Sequence, residues 1–145
     1  MKQIPLLIIT LLSLLRPLGG LAEELHFRHY NNKQGLSHNT VYCSLQDKRG
    51  FMWFGTEDGL NRFDGHTFKV YRHNSYNPNS LPGDHLNFLF ESSDERIWIC
   101  TSAGTCYYDH KTDTFHPFHL SSAQNEPESF SAVTEDKNQQ LWFIR

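Results

Sequence analysis

The sequence predicts an all-β fold built from tandem repeats. Three observations carry this: the spacing of the tryptophans, an ungapped match of the segments around them, and Asp-Gly turns between short apolar runs. Trp53, Trp98 and Trp142 stand 45 and 44 residues apart. Around the first two, Trp53-Phe54-Gly55-Thr56-Glu57-Asp58-Gly59-Leu60-Asn61-Arg62-Phe63-Asp64 lies over Trp98-Ile99-Cys100-Thr101-Ser102-Ala103-Gly104-Thr105-Cys106-Tyr107-Tyr108-Asp109, so Gly59 and Gly104 share one place in the repeat. The third copy contributes Leu141-Trp142-Phe143-Ile144, with Asp136-Lys137 ahead of it as Asp47-Lys48 stands ahead of Trp53. Short apolar runs, four to a unit of about 40 to 50 residues, are the signature of a β-propeller blade of four antiparallel strands.

The four strands can be read off the first copy: Thr40 to Gln46, Phe51 to Thr56, Leu60 to Phe63 and Thr67 to Tyr71, all rich in aromatic and β-branched residues. Between them lie Asp47-Lys48-Arg49-Gly50, Asp58-Gly59 and Asp64-Gly65, which supply the positive φ angles of tight antiparallel turns. In the second strand Phe51 and Trp53 point one way, Met52 and Phe54 the other. Both faces are apolar and need cover, which neighbouring blades provide.

Phe27-Arg28-His29-Tyr30 repeats the aromatic spacing of the fourth strands Phe68 to Tyr71 and Phe115 to Phe118, with no first three strands before it. It reads as an orphan fourth strand that pairs with a blade from the far end of a ring, or else as a simple edge extension. The expected layout is therefore a leader over 1–22, the orphan strand over 23–34, blade 1 over 35–72, a linker and blade 2 over 73–119, and the start of blade 3 over 120–145. Rings usually have about four to eight blades. The sequence thus reads as the N-terminal fragment of a longer protein.

Residues 1–22 have the pattern of a cleaved export signal: Lys2, an apolar run from Ile4 to Leu15, then Gly20-Leu21-Ala22 before Glu23-Glu24. An uncleaved anchor is the alternative, although about 20 apolar residues are needed to span a bilayer. An exported, periplasmic chain is expected. Aromatics make up 14% and the net charge is -3, with no basic stripe, which excludes the electrostatic footprint of a nucleic-acid partner.

Chemistry-bearing clusters are scarce. Cys100 and Cys106 flank the turn of blade 2, and a turn centred on Ala103 would set them opposite each other, so they are either a bridge or two free buried thiols; Cys43 has no partner. The pairs His26-His29 and His116-His119 put their side chains on opposite faces of a strand, so no metal site is expected. No cofactor is expected either. No phosphate loop, nucleophile elbow or singled-out carboxylate pair appears, and this part is not expected to be an enzyme.

Gly35-Leu36-Ser37-His38-Asn39-Thr40-Val41, Asp47-Lys48-Arg49-Gly50-Phe51-Met52-Trp53-Phe54-Gly55-Thr56 and Gly59-Leu60-Asn61-Arg62-Phe63-Asp64-Gly65 closely resemble the two-component regulator propeller repeat. Blade 2 departs from it at Cys100, at Cys106 and at Ser93-Asp94-Glu95-Arg96, which lacks the turn glycine. The resemblance implies the periplasmic sensor of a hybrid two-component histidine kinase of Bacteroidetes type. The implied whole has further blades, a β-sandwich, a membrane span into the inner membrane, a cytoplasmic kinase and a homodimeric state. It also implies an oligosaccharide as the sensed ligand. Two other readings stand beside it: a secreted propeller enzyme similar to streptogramin lyase, and a purely structural propeller part whose ligand binds elsewhere.

In a propeller the second-to-third turns and the fourth-to-first loops emerge on one rim at the channel mouth, where ligands bind. This makes Glu57, Asp58 and Ser102 of the turns, and His73, Asn74, Tyr76, Asn77, Asn79 and His85 of the first long loop, the candidate ligand contacts. The loop from His119 to Ser129 belongs to the same rim. Amides, hydroxyls and an aromatic face suit a sugar, and they are equally what a connector contains.

Overall fold

A computed structural model of the chain describes residues 26–120 and 128–145. The leader expected over 1–22 lies outside the described residues, as does most of the second long loop. The first sheet runs β1 (Val41–Gln46), β2 (Met52–Thr56), β3 (Gly59–Phe63), β4 (Phe68–Tyr71), in that spatial order and antiparallel throughout. The second repeats it with β5 (Leu86–Glu91), β6 (Ile97–Thr101), β7 (Gly104–Asp109) and β8 (Thr114–Pro117). The third holds β9 (Ala132–Glu135) and β10 (Leu141–Ile144). The strands expected for the first copy agree to within one residue at each end. No helix among the described residues is long and apolar enough to cross a membrane.

Local chemistry explains the turns. Gly50, Gly59 and Gly65 take φ of 89°, 107° and 96°, where L side chains clash. Where the later blades lack the first of these glycines, the backbone keeps its shape: Glu95 and Gln139 adopt φ of 66° and 65°. The departure seen in Ser93-Asp94-Glu95-Arg96 therefore changes the strain of the turn and not its path.

A side-chain device ties each turn to its tryptophan. Asp47 Oδ1 accepts from the backbone N–H groups of Arg49 and Phe51 (3.0 and 2.9 Å), and its Oδ2 accepts from Trp53 Nε1 at 2.7 Å. Ser92 Oγ accepts from Trp98 Nε1 at 3.2 Å, and Asp136 does for Asn138, Gln140 and Trp142 what Asp47 does for its own turn. An acceptor six residues before the tryptophan is thus part of the repeat.

The core lies between sheets. On the seam between the first and second sheets, Trp53, Leu60 and Tyr71 meet Leu81, Leu86, Ile97, Ile99, Tyr108 and Phe115. On the next seam Trp98 and Cys100 meet Phe130, Val133, Leu141 and Phe143. Alternate residues of β6 serve alternate seams, as the two-residue period of a strand requires. Trp53 and Trp98 are buried, at 0% and 3% exposure. Trp142, expected to be buried likewise, is 58% exposed, because no sheet among the described residues packs on that face. The first seam is also pinned by Asp113, whose Oδ1 accepts from the hydroxyls of Tyr71 (2.9 Å) and Tyr108 (2.6 Å) and whose Oδ2 accepts from Lys69 Nζ.

Of the two readings of Cys100 and Cys106, the structure has the two free buried thiols and not the bridge. In the β6–β7 hairpin Cys100 pairs with Thr105 and Cys106 with Ile99, so the turn is centred one half-step earlier than on Ala103. Pleating then sends the two thiols to opposite faces, Cys106 into the first seam and Cys100 into the second, and no bridge joins them. Cys43 is free as well.

Residues 26–31 form no strand within this chain. Tyr30 nevertheless packs edge-on to Phe63 and Phe68, at 5.0 and 5.6 Å between ring centroids. Tyr71, its counterpart by aromatic spacing, sits on Tyr108 and Phe115 at 5.8 and 5.1 Å.

Candidate functional site

The rim that carries the second-to-third turns is shaped by a threonine in each blade. Thr56 Oγ1 donates to Gly59 O and accepts from Asp58 N, and Thr101 Oγ1 does the same for Gly104 O and Ala103 N. Backbone bonds then lock neighbouring loops together: Gly59 N donates to Asp84 O at 2.8 Å, Ser102 N to His85 O at 3.0 Å and Glu57 N to Thr40 O at 3.3 Å. Glu57, His85 and Ser102 are thereby brought to one place beside the inner strand β1.

Tyr42 completes that place, and sequence reasoning missed it. Its hydroxyl donates to Glu57 Oε2 at 3.3 Å, its ring lies 4.7 Å from the His85 ring, and it is 48% exposed. The signal was a large aromatic at the start of the first, innermost strand, next to the turn already singled out. Partial desolvation, and after it the Glu57 carboxylate, push the phenol above its ordinary value, so it remains a hydroxyl donor at neutral pH. Asp58 is held by Arg72 through two hydrogen bonds of 3.2 and 2.9 Å, which lower its carboxyl below the usual range.

The long loop does not gather at this mouth. His73 N donates to Asp84 Oδ1 at 2.6 Å and its Nδ1 lies 2.7 Å from Leu81 O, after which the chain turns outward. Phe115 N in the outer strand β8 donates to Asn79 O at 3.0 Å, and buried Leu81 anchors the return. Asn74 and Asn77 close their own turns by Asx hydrogen bonds from Tyr76 N and Asn79 N, and Tyr76 stands 96% exposed. His73, Asn74 and Asn77 line a shallow cleft of about 190 Å³ with Pro78, Leu81 and Pro117. Asn79 lines another, of about 270 Å³, with Tyr71, Arg72, Asp113 and Phe115. The nine candidates thus separate into an inner group and an outer group.

On the opposite rim, a polar cleft of about 280 Å³ lies among Arg49, Asp94, Glu95, Arg96, Asp109, His110 and Lys111. Its charges are largely paired, Arg49 with Glu95 at 3.3 Å and Arg96 with Asp94 at 3.4 Å. His110 is buried there, its Nε2 3.8 Å from Asp47 Oδ2, and desolvation followed by Arg49 pushes its imidazole below the ordinary value.

With this geometry in hand, the comparisons with known proteins are specific. The family model described as two component regulator propeller matches residues 35–58, which run from the loop before β1 through the Asp47 turn and the Trp53 strand. Residues 35–58 are a two-component regulator propeller repeat. Over 55 residues the chain is 49% identical to a protein named histidine kinase P4 from Formosa agariphila, covering 38% of this chain and 4% of that one. The fold is similar to the extracellular domain of a putative hybrid two component system from B. thetaiotaomicron, with a TM-score of 0.58 and 26% identity over 72% of this chain and 15% of that one. A structure described as the extracellular domain of a putative one component system from the same organism aligns with a TM-score of 0.64 and 24% identity, over 80% of this chain and 18% of that one. The chain therefore spans a small fraction of each protein it matches. The fold is thus shared with extracellular domains of proteins described as two-component or one-component systems, and no group of three or more His, Cys, Asp or Glu side chains that could hold a metal ion occurs among the described residues.

Proposed function

We propose that this chain is the ligand-receiving part of an exported two-component sensor and that the ligand, an oligosaccharide, is held at the inner rim by Tyr42, Glu57, His85 and Ser102. The observation that carries this reading is the exposed Tyr42 ring set 4.7 Å from His85, with the Glu57 carboxylate on its hydroxyl. A flat aromatic face offers stacking to the C–H face of a sugar ring, and the surrounding oxygens and imidazole offer hydrogen bonds to its hydroxyls. The match at 35–58, the relative named a histidine kinase and the neighbours described as extracellular domains support the sensor role. In this proposal the leader over 1–22 directs export, and further blades, an inner-membrane span and a histidine kinase belong to the same polypeptide, which works as a homodimer. Tyr76, Asn77 and Asn79 are connector residues in it.

The test is titration calorimetry with a panel of oligosaccharides on the receptor that carries this chain, comparing wild type with Tyr42→Ala and Tyr76→Ala. Tyr42→Ala should weaken binding by about 1 kcal/mol or more, the scale of an aromatic contact, while Tyr76→Ala leaves it unchanged. Equal affinity of wild type and Tyr42→Ala would assign these blades a structural role alone.

A further inference from the structure

The first seam, closed on both sides by complete sheets, holds a polar side chain that it does not satisfy. His110 is the first residue after β7, in the turn that leads to β8, and its side chain reaches back between the sheets at 4% exposure. Its ring meets Tyr108 edge-on at 5.0 Å and Trp53 at 6.1 Å. Nε2 is buried and makes no hydrogen bond among the described residues. The Asp47 Oδ2 that faces it lies 3.8 Å away and already accepts from the Trp53 indole at 2.7 Å. A buried polar atom left without a partner is unfavourable, and native structures keep few of them.

The charges around the ring oppose one another. Asp47 of the β1–β2 turn and Glu91 at the end of β5 favour an imidazolium, whereas Arg49 of the same turn and Arg62 of β3 disfavour it. Arg62 is fixed by the Tyr108 hydroxyl at 2.9 Å and Glu91 is occupied by the Lys48 N–H. Lys48 Nζ is bound to Ser92 O and Ser93 O, and the Asp113 carboxylate to Lys69, Tyr71 and Tyr108. Burial acts most strongly and, with Arg49, keeps the ring neutral at pH 7. Beside it lies the cleft of about 280 Å³, whose wall His110 shares with Asp94, Glu95 and Asp109 as well as Arg49, Arg96 and Lys111. An imidazolium that turns into this cleft regains water and meets three carboxylates.

We propose that His110 is an acid-operated latch on the first seam: on taking up a proton it leaves its place beside Trp53 for the cleft, and the rim around the Asp47 turn opens while the inner rim stays shut. The motion breaks no strand pairing, because the β7–β8 ladder ends at Asp109 and Thr114. The inner rim keeps its own bonds, from Gly59 N to Asp84 O and from Ser102 N to His85 O. Linkage sets the direction. The seated ring lies below the free imidazole value of about 6.5, so the closed form is whole above that pH and is lost progressively below it. At about one pH unit below 6.5 a freed imidazole is protonated about ten to one, which shifts the opening equilibrium by about three- to tenfold.

The experiment is hydrogen exchange read by mass spectrometry on the receptor that carries this chain, at about pH 7.5 and about pH 5.5, with rates corrected for the intrinsic pH dependence of exchange. Wild type is compared with His110→Gln and His110→Phe, which remove the titrating group, the second while keeping an aromatic ring. In wild type the segment 47–53, whose Arg49 and Phe51 amides are bound to Asp47, should lose protection about three- to tenfold on acidification. The inner-rim segment 100–105 should change by less than about twofold, and in the variants 47–53 should change no more than that. Equal loss in wild type and variants overturns the proposal, and so does protection that rises with acid. If a variant does not fold, the wild-type profile decides by itself. A loss confined to 47–53 with a midpoint at or below about 6.5 supports the latch; a flat profile, or a loss spread evenly over both segments as in general acid unfolding, overturns it.

Discussion

The buried carboxylate of Asp47 is the most exacting test of how a blade holds its tryptophan. Its side chain is fully buried and serves three donors, the N–H groups of Arg49 and Phe51 and the Trp53 indole, itself at 0% exposure. In Asp47→Ala the indole N–H loses its acceptor inside the seam, a loss of about 1 to 3 kcal/mol for a buried unsatisfied donor. The two turn amides lie near solvent and regain water, so each loses about 0.5 to 1 kcal/mol. The expected destabilisation is about 3 kcal/mol. The second blade supplies an internal control, because Ser92 Oγ accepts from the Trp98 indole with no charge at all. Asp47→Ser should therefore recover a large part of the loss and end about 1 kcal/mol below wild type. Urea unfolding followed by tryptophan fluorescence measures both. Equal stability of the Ala and Ser variants, or an Ala variant within about 0.5 kcal/mol of wild type, would refute the claim that the indole acceptor is what matters at this position.

Gly55→Ala should lower stability by about 1 to 3 kcal/mol, because a Cβ there stands 2.8 Å from Leu86 Cβ and against Cys43 Sγ, so the first seam must open; a thermal melt reads this. Glu95→Gly should raise stability by about 1 kcal/mol by relieving a left-handed φ of 66°, again by urea unfolding. For Asp113, desolvation works upward, but the hydrogen bonds from Lys69, Tyr108 and Tyr71 outweigh it and hold the carboxyl at about 2. A folded-state value below the unfolded one means the stabilisation is fully present above about pH 4 and is lost as pH falls toward 2. An acid titration of stability should accordingly be flatter for Asp113→Asn than for wild type.

The blades were legible because their signals are local. Asp-Gly at the turns, aromatic residues at two-residue spacing and a tryptophan at fixed phase each act within a hairpin, and no long-range contact competes with them. The thiol pair was not legible, because centring the Ser102-Ala103 turn half a residue too late exchanges the faces of every side chain beyond it. Composition could not route the loop from His73 to Pro82 either. Asn, Ser and Pro exclude a strand, whereas the outward path is set by one backbone bond from Phe115 and by Leu81 filling the seam. At the inner rim, Glu57 and His85 were singled out as candidates from turn topology. Tyr42 was hidden in a strand that periodicity treats as ordinary core.

The placement of one indole per sheet gives the molecule a built-in set of optical reporters. Trp53 senses only the junction of the first two sheets and Trp98 only the next, while Trp142 looks into solvent. In chains that keep a single tryptophan, a blue emission from position 53 or 98 reports that its own junction is shut, and a red shift reports that it has parted. Emission from position 142 starts red and moves to the blue only when something settles on that surface. Disturbance at one end of the array can then be followed, junction by junction, as it travels or dies out.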